Sequence, residues 1–383
     1  YQDFYGNVGF CKGALRTWSD FEKLPILTKS MLRDHFPKNV AKDFDPDKLY
    51  GVRTSGSSGI PLTVVLDDHR AHIDTLHRIR QFEILAGQTI PTDSWLYNIH
   101  HSGWWYTSMQ GLYPTFSLRQ DCPLESMTEH ILKLKPSVIS GLPSVLMDLA
   151  VYLQQKNIIL KDYGILCVST NSEASSWRER RRMQDIFGVP VGDEYSSEEL
   201  GLIATECYHG QYHLVEDECY IEILNLTESQ DGFGSVIGTD LWNIAMPILR
   251  YDQGDLAKSI RTSTCACGSQ HRILHDFQGR NDQNFTNATG QIILSSQLMD
   301  ACDEFLVPPS SNIQEFKLIQ KTLNHIQLLC TKSESSLPLN ETLLKFFSKK
   351  VTALFGHDIY LETLVSDELP ENASYKRRML ISE

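Results

Sequence analysis

The residues able to do chemistry fall in short groups spread along the chain. The first is Val52-Arg53-Thr54-Ser55-Gly56-Ser57-Ser58-Gly59-Ile60-Pro61, with four hydroxyls and two glycines between Thr54 and Gly59. Glycine lets the backbone turn tightly and approach a ligand, and successive N–H groups in such a turn form an anion-binding concavity. Ser and Thr add neutral donors that grip a phosphate without a fixed charge. An ordinary Ser/Gly surface loop has the same composition. A Walker loop does not, since it needs Gly-Lys-Ser/Thr opening a helix and no lysine follows here.

The second group is Asp193-Glu194-Tyr195-Ser196-Ser197-Glu198-Glu199-Leu200-Gly201, expected as an acidic turn at the carboxyl end of a strand. A tyrosine offers a stacking face for a base, hydroxyls meet phosphate, and a carboxylate can hold Mg²⁺ through oxygen. The third is Thr239-Asp240-Leu241-Trp242-Asn243 followed by Pro247-Ile248-Leu249-Arg250-Tyr251-Asp252-Gln253-Gly254-Asp255. An aspartate after a glycine turn can accept both hydroxyls of a ribose. Gln278-Gly279-Arg280-Asn281-Asp282 adds a basic and an acidic residue where the pattern of elements changes.

Cys207 and His213, with Cys265-Ala266-Cys267-Gly268, are metal candidates. Two thiolates one residue apart, plus a Cys and a His from one distant turn, suit a tetrahedral S₃N zinc site. His209 is an alternative to His213, and free buried thiols are the plain reading. Cys11, Cys122, Cys167, Cys219, Cys302 and Cys330 read as ordinary thiols. His100-His101-Ser102-Gly103-Trp104-Trp105-Tyr106 is either a pocket lining or a packed loop with surface histidines.

These groups sit in a chain of 383 residues, long enough for two or three domains. Its apolar and charged fractions, 41% and 22%, are those of a soluble globular protein. A net charge of −13 argues against a nucleic-acid surface and for a cytoplasmic location. No apolar run reaches membrane-spanning length and no signal peptide is visible. The nine cysteines, odd in number and irregularly spaced, read as reduced thiols with room for one metal site. The sequence opens at Tyr1 without Met, which suggests residues upstream.

The positioning elements follow from periodicity. Helical patterns cover Thr17 to Glu22, Thr28 to Phe36, Asp67 to Ala86, Ser126 to Leu134, Pro143 to Gln155 and Ser175 to Phe187. Between them lie apolar strands at Leu62 to Leu66, Trp95 to Ile99, Ser137 to Ser140, Gly164 to Thr170 and after Val189-Pro190-Val191. Strands alternating with helices predict α/β layers with a largely parallel sheet, whose ligands sit beyond the carboxyl ends of the strands. Later strands are expected at Glu218 to Leu226, Ser235 to Leu241 and Ile248 to Tyr251. The tail reads as a small α+β unit: strands Glu315 to Gln320, His325 to Cys330 and Ile359 to Val365, with a helix at Asn340 to Leu354. Its hinge is expected near Arg280 to Asp282.

Taken together, these residues resemble the adenylate-forming superfamily of acyl-CoA synthetases, adenylation domains and luciferases, and most closely its phenylacetate–CoA ligase-like branch. The likeness runs from Leu24-Pro25-Ile26-Leu27-Thr28-Lys29 to Lys376-Arg377-Arg378-Met379-Leu380-Ile381-Ser382. It implies a large ATP- and acid-binding domain over 1–280 and a small mobile α+β lid over 281–383. It assigns the loop Thr54, Ser55, Gly56, Ser57, Ser58 and Gly59 to the ATP β/γ-phosphates. Tyr195, with Ser196 beside it, would stack on adenine, Ser197 would lie near the α-phosphate, and Glu199 would hold Mg²⁺, with Glu198 the alternative. Asp255 would hold the ribose, assisted by Arg280. Lys376 matches the family's catalytic tail lysine but lacks the preceding glycine, and Leu62 stands where a lysine often follows the phosphate loop. The zinc-like cluster resembles a structural site of this branch.

The implied reaction activates a carboxylic acid, aryl or another small organic acid, as an acyl-adenylate with loss of pyrophosphate. The acyl group then passes to a thiol, with coenzyme A expected first and an amine or a carrier protein as alternatives. A non-catalytic nucleotide-binding module is the third reading. The acid pocket is expected to draw on His100, Trp104, Trp105, Tyr106, Gly141 and Pro143, with the turn Ser169-Thr170-Asn171. No nucleic acid or membrane partner is expected, and a homodimer is left open.

Overall fold

The computed structural model describes residues 15–54, 62–100, 111–225, 232–262, 264–280, 284–370 and 379–382. A nine-stranded sheet forms its centre. The order is Ser259–Arg261, Ile273–His275, Tyr212–Leu214, Gly201–Glu206, Val191–Ser197, Cys167–Thr170, Val138–Gly141, Leu96–His100, Thr115–Arg119. The five strands from Val191–Ser197 to Thr115–Arg119 are parallel, and the others join antiparallel. This corrects the expectation of a largely parallel sheet. Parallel neighbours need a crossover, which the helices Leu124–Leu134, Pro143–Gln155 and Trp177–Phe187 supply; past Ser197 short turns take over and reverse the chain.

Side chains alternate between the two faces of a strand. Tyr97, Ile99, Ile139, Val168 and Val191 pack against the three crossover helices. Leu96, Val138 and Cys167 point the other way, onto Ile79, Phe82 and Leu85 of the long helix Asp68–Ala86. Burial on both faces is why these strands read as apolar runs. Asp67 caps the long helix, accepting from the Arg70 amide at 2.8 Å, and Gly87 ends it with φ of 67°.

Some boundaries move for local reasons. The helix expected from Ser175 begins at Trp177, because Ser176 is its cap and accepts from the Glu179 amide at 3.0 Å. The helix expected from Ser126 begins two residues earlier, at Leu124. The strand expected over Gly164 to Thr170 is only Cys167–Thr170, since Gly164 (φ 85°) closes a 3₁₀ turn.

A second, antiparallel sheet pairs Cys219–Asn225, Gly234–Asp240, Tyr251–Ala257 and Gly279–Arg280. The strand expected at Ile248 to Tyr251 instead runs Tyr251–Ala257. Ile248 is buried but extends no ladder, and Arg250 takes a left-handed φ of 51°. That conformation aims its carbonyl at the Leu27 amide, 2.8 Å away, while the Asp252 amide donates to the Leu27 carbonyl at 2.9 Å. The Arg250 guanidinium binds Glu222 at 3.0 Å and the Leu24 carbonyl at 2.7 Å. The Leu24–Lys29 segment is therefore strapped to the start of this strand.

Near the C-terminus a four-stranded sheet runs Tyr360–Val365, His325–Lys332, Ile313–Thr322, Leu380–Ser382. The helices Ser295–Phe305 and Glu341–Phe355 cover it over a core of its own, including Leu318, Ile326, Leu328, Phe347 and Val351. The fourth strand and the helix Ser295–Phe305 were not expected from the sequence. Among the described residues no helix is long and apolar enough to cross a membrane.

Candidate active site

The strand Val191–Ser197 stands where the central sheet changes from parallel to antiparallel. Asp193 to Ser197 thus lie inside a strand, correcting the expected turn; the turn is confined to Glu198–Leu200. Consecutive residues serve different neighbours. Asp193 faces the crossover helices, accepting from Thr170 Oγ1 at 2.6 Å and from the Tyr212 hydroxyl at 2.7 Å. Burial pushes its carboxyl up to about 6, with Arg180 pulling the other way. Glu194 faces the long helix and pairs with Arg78.

Tyr195, on the opposite face from Glu194, meets the second sheet, and the ladder register shifts between it and Ser196. Its hydroxyl donates to Asp255 Oδ2 at 2.6 Å, and its ring lies on Phe277 with centroids 4.1 Å apart. Asp255 is placed by a bulge: Ser235 pairs with Leu256 but Ile237 with Asp252. Gly254, with φ of 72°, makes that bulge affordable sterically, and its amide donates to Asp252 Oδ1 at 2.8 Å. Asp255 stands opposite Arg280 in the register with Gly279–Arg280.

Glu198 and Glu199 separate clearly. Glu199 is buried and accepts from the Tyr251 hydroxyl at 2.9 Å, whereas Glu198 is exposed. Ser197 Oγ accepts from the Leu200 amide at 3.2 Å, and Ser196 Oγ donates to Glu194 at 2.7 Å. The turn ends at Gly201, φ 74°, where a Cβ would lie 1.9 Å from Arg70 Nη2 and 2.1 Å from Glu218 Oε1. Arg70 is fully buried, holding the Leu200 carbonyl, Asp240 and Glu218 at 2.8 Å each. Burial and the nearby Asp74 push the Glu218 carboxyl up to about 7.

At the phosphate-loop candidate, Thr54 closes the base. Its amide donates to the Leu62 carbonyl at 2.9 Å, and its hydroxyl accepts from the Leu62 amide at 2.9 Å. The strands Tyr50–Arg53 and Thr63–Leu66 pair below it. Ser55, Gly56, Ser57, Ser58, Gly59, Trp104, Trp105, Tyr106, Lys376, Cys11 and the side chain of Arg280 lie outside the described residues. His100 is buried at the end of its strand. Gly141 ends the next, where a Cβ would come 2.9 Å from the Ile99 carbonyl, and Pro143 opens the following helix. The Asn171 amide donates to the Gly141 carbonyl at 3.1 Å.

Cys207, His213, Cys265 and Cys267 converge, their ligand atoms all within 4.8 Å of one another. His213 belongs to the group, and His209 does not; it packs on Tyr208 instead. His213 Nδ1 lies 3.0 Å from the His271 carbonyl, leaving Nε2 directed at Cys267 Sγ, 3.3 Å away. A carbonyl on one ring nitrogen fixes the tautomer that presents the other to a metal. Gly268, φ 83°, allows the tight turn after Cys267. The donor set and its outer partner fit a structural zinc ion.

Sequence reasoning missed Phe277, Tyr251, Glu194 and Arg78 as parts of this site. Phe277 and Tyr251 adjoin or fall within named motifs, so position alone could have raised them. Arg78 carried a signal in the i,i+4 pair with Asp74, at 2.9 Å, on a helix face that is otherwise core.

No family model matches the chain. A phenylacetate–coenzyme A ligase of Thermus thermophilus is 24% identical over 301 residues, 74% of this chain and 66% of that protein's length. A crystal structure of 2-hydroxyisobutyryl-CoA ligase in its postadenylation state superposes with a TM-score of 0.80. The match has 18% identity and covers this whole chain and 85% of the other. The same ligase in its thioesterification state gives 0.61 over the same shares. The chain is thus similar in sequence to a phenylacetate–coenzyme A ligase and shares the fold of a solved adenylate-forming CoA ligase.

Proposed function

We propose that the chain is an ATP-dependent acid–thiol ligase. An oxygen of the acid's carboxylate attacks the α-phosphorus of ATP, the bond to pyrophosphate breaks, and an acyl-adenylate forms. The sulfur of a thiol, coenzyme A in our reading, then attacks the acyl carbon, and AMP leaves with its electron pair. The observation that carries this reading is the Tyr195–Asp255 pair seated on Phe277, a ring and a carboxylate from separate motifs brought to one point. Adenine would stack at Tyr195, and the ribose hydroxyls would take over the Asp255 oxygen to which Tyr195 now donates.

Glu199, buried beside Ser197, is the better Mg²⁺ ligand than exposed Glu198. The ion would offset charge on the phosphates. The Thr54–Gly59 loop would supply amide and hydroxyl donors, and Lys376 a point charge at the α-phosphate. In the same reading residues 1–280 form the ATP- and acid-binding domain and 281–383 a lid whose rotation exchanges the two half-reactions. The better superposition on a postadenylation state than on a thioesterification state supports a first-half-reaction arrangement. The Cys₃His group would carry zinc as a brace; four protein donors leave no position for substrate.

The test is pyrophosphate–ATP exchange across a panel of carboxylic acids, followed by supply of coenzyme A, an amine or a carrier protein to the preformed adenylate. Exchange that needs both acid and Mg²⁺ is expected, and Lys376→Ala should lower it by at least about a hundredfold. ATP binding with no acid-dependent exchange would identify a nucleotide-binding module instead.

A further inference from the structure

One face of the parallel sheet carries a buried row of polar side chains. Asn98, Ser140 and Ser169 are direct partners across three adjacent strands, so they point the same way, toward the long helix Asp68–Ala86. One step deeper the same face is apolar, with Leu96, Val138 and Cys167 against Phe82 and Leu85. One step shallower it carries His100, Asn171 and Glu194, at the carboxyl ends of the strands. Gln81 belongs to the same lining: it lies on the helix stripe between Arg78, which pairs with Glu194, and Leu85, which covers Gly192.

The row is buried and incompletely partnered. Asn98, Gln81, Ser169 and Asn171 are each no more than 3% exposed. Both amide atoms of Asn98, both of Gln81, Ser169 Oγ and Asn171 Oδ1 have no hydrogen-bond partner among the described residues. Only the Asn171 amide nitrogen is engaged within the row, donating to Ser140 Oγ at 2.8 Å. Buried polar atoms are nearly always paired, so a set this concentrated calls for a polar occupant. Amides and hydroxyls both donate and accept, which suits a neutral group. A second carboxylate is unsuited, because Glu194 Oε2 is itself buried without a partner and Arg78 is shared between Asp74 and Glu194.

Resting on the acid-activating reading, we infer that the acid bears a neutral hydrogen-bonding substituent, such as a hydroxyl, keto or amide group, held by Asn98, Ser169, Gln81 and Asn171. In a parallel sheet the reacting end of a ligand sits beyond the strand ends. Asn98 lies two residues below His100, about 7 Å along the strand. The substituent is therefore distal to the carboxylate and not on the α-carbon. The row selects for it because an acid that lacks the group would leave these atoms unpaired.

The experiment measures kcat/KM for pyrophosphate release with matched acids, 6-hydroxyhexanoate against hexanoate and 4-hydroxyphenylacetate against phenylacetate, with adipate as the dicarboxylate. The hydroxylated member of at least one pair should be preferred by at least about tenfold, and adipate should be the poorest of the aliphatic acids. Asn98→Leu, and the milder Ser169→Ala should the first fail to fold, should bring that preference within about twofold. Equal or better use of the deoxy acids by the parent, with Asn98→Leu leaving the ratio unmoved, overturns the inference and identifies the row as water-filled packing. Release from none of these acids, when other acids do support it, also overturns the inference. Release from no acid at all removes the acid-activating reading itself.

Discussion

At the scale of single residues, the site depends on side chains whose partners lie far away in sequence. Tyr195 and Asp255 are sixty positions apart and meet at 2.6 Å. Both were legible as candidates from residue type and motif, but their contact was not, since nothing local in either motif refers to the other. The Cys₃His group was legible for a different reason: Cys-x-Cys-Gly is a compact signature, and the Cys/His pair around one turn completes it. What the sequence left open was His209 against His213, a choice made by strand register, which sets His213 opposite Ile273 and beside the Cys265 turn. Purified protein is expected to carry about one zinc per chain by atomic emission, because structural zinc sites bind tightly. Cys265→Ser should lose that zinc and lower the melting temperature, while adenylation at low temperature survives. A full zinc complement in the serine variant would refute the assignment.

At the scale of elements, most helices and strands follow from period alone, and the failures have identifiable causes. The helix Ser295–Phe305 was not expected because Leu294 stands at its cap position and offers no side-chain acceptor, leaving no start signal. The run Ile248 to Tyr251 looks like a strand but is interrupted by the left-handed Arg250, a conformation imposed by docking the distant Leu27. The polar row of Asn98, Ser140 and Ser169 was not legible as a unit: Ser169 belongs to the polar run Ser169-Thr170-Asn171, but Asn98 and Ser140 lie far off in sequence and only sheet register aligns the three. The turn Glu198–Gly201 shows how one element holds another. Its position is set by Arg70 on the long helix, and Gly201 makes room for that guanidinium. Gly201→Ala should cost about 1–3 kcal/mol through overpacking, on top of strain at its positive φ. Denaturant unfolding should register the loss, and the proposed adenylation should fall with it if Glu199, the proposed Mg²⁺ ligand, is displaced with the turn it shares. An alanine variant as stable as the parent would show that Arg70 is not confined as described.

At the scale of the whole molecule, the C-terminal sheet and helices touch the large sheet's helices through acidic side chains. Asp303, on the helix Ser295–Phe305, lies by Ser176 and Glu179 at the start of the helix Trp177–Phe187, and Asp303 Oδ2 is buried without a partner. Burial, and then Asp303, push the Glu179 carboxyl up to about 7, with Arg180 opposing and Glu173 adding to the rise. The native form therefore holds this proton more tightly than the unfolded chain, whose carboxyl titrates near 4.5. Stability from this contact is complete below that value and is lost as pH climbs through about 7. Calorimetric melting temperatures should fall across that window, and Glu179→Gln should flatten the fall; an unchanged slope would place the titrating group elsewhere.

The strap between Leu24–Lys29 and Arg250 also bears on how the chain is made. The segment has its partner more than two hundred residues downstream. At ordinary translation speeds it waits roughly 10–45 s before that partner is synthesised. Throughout this interval Leu24 and Leu27, buried in the finished protein, have nowhere native to go. Nascent-chain holdases would find their target in these two leucines, and the strand Tyr251–Ala257 would settle only once the strap has formed.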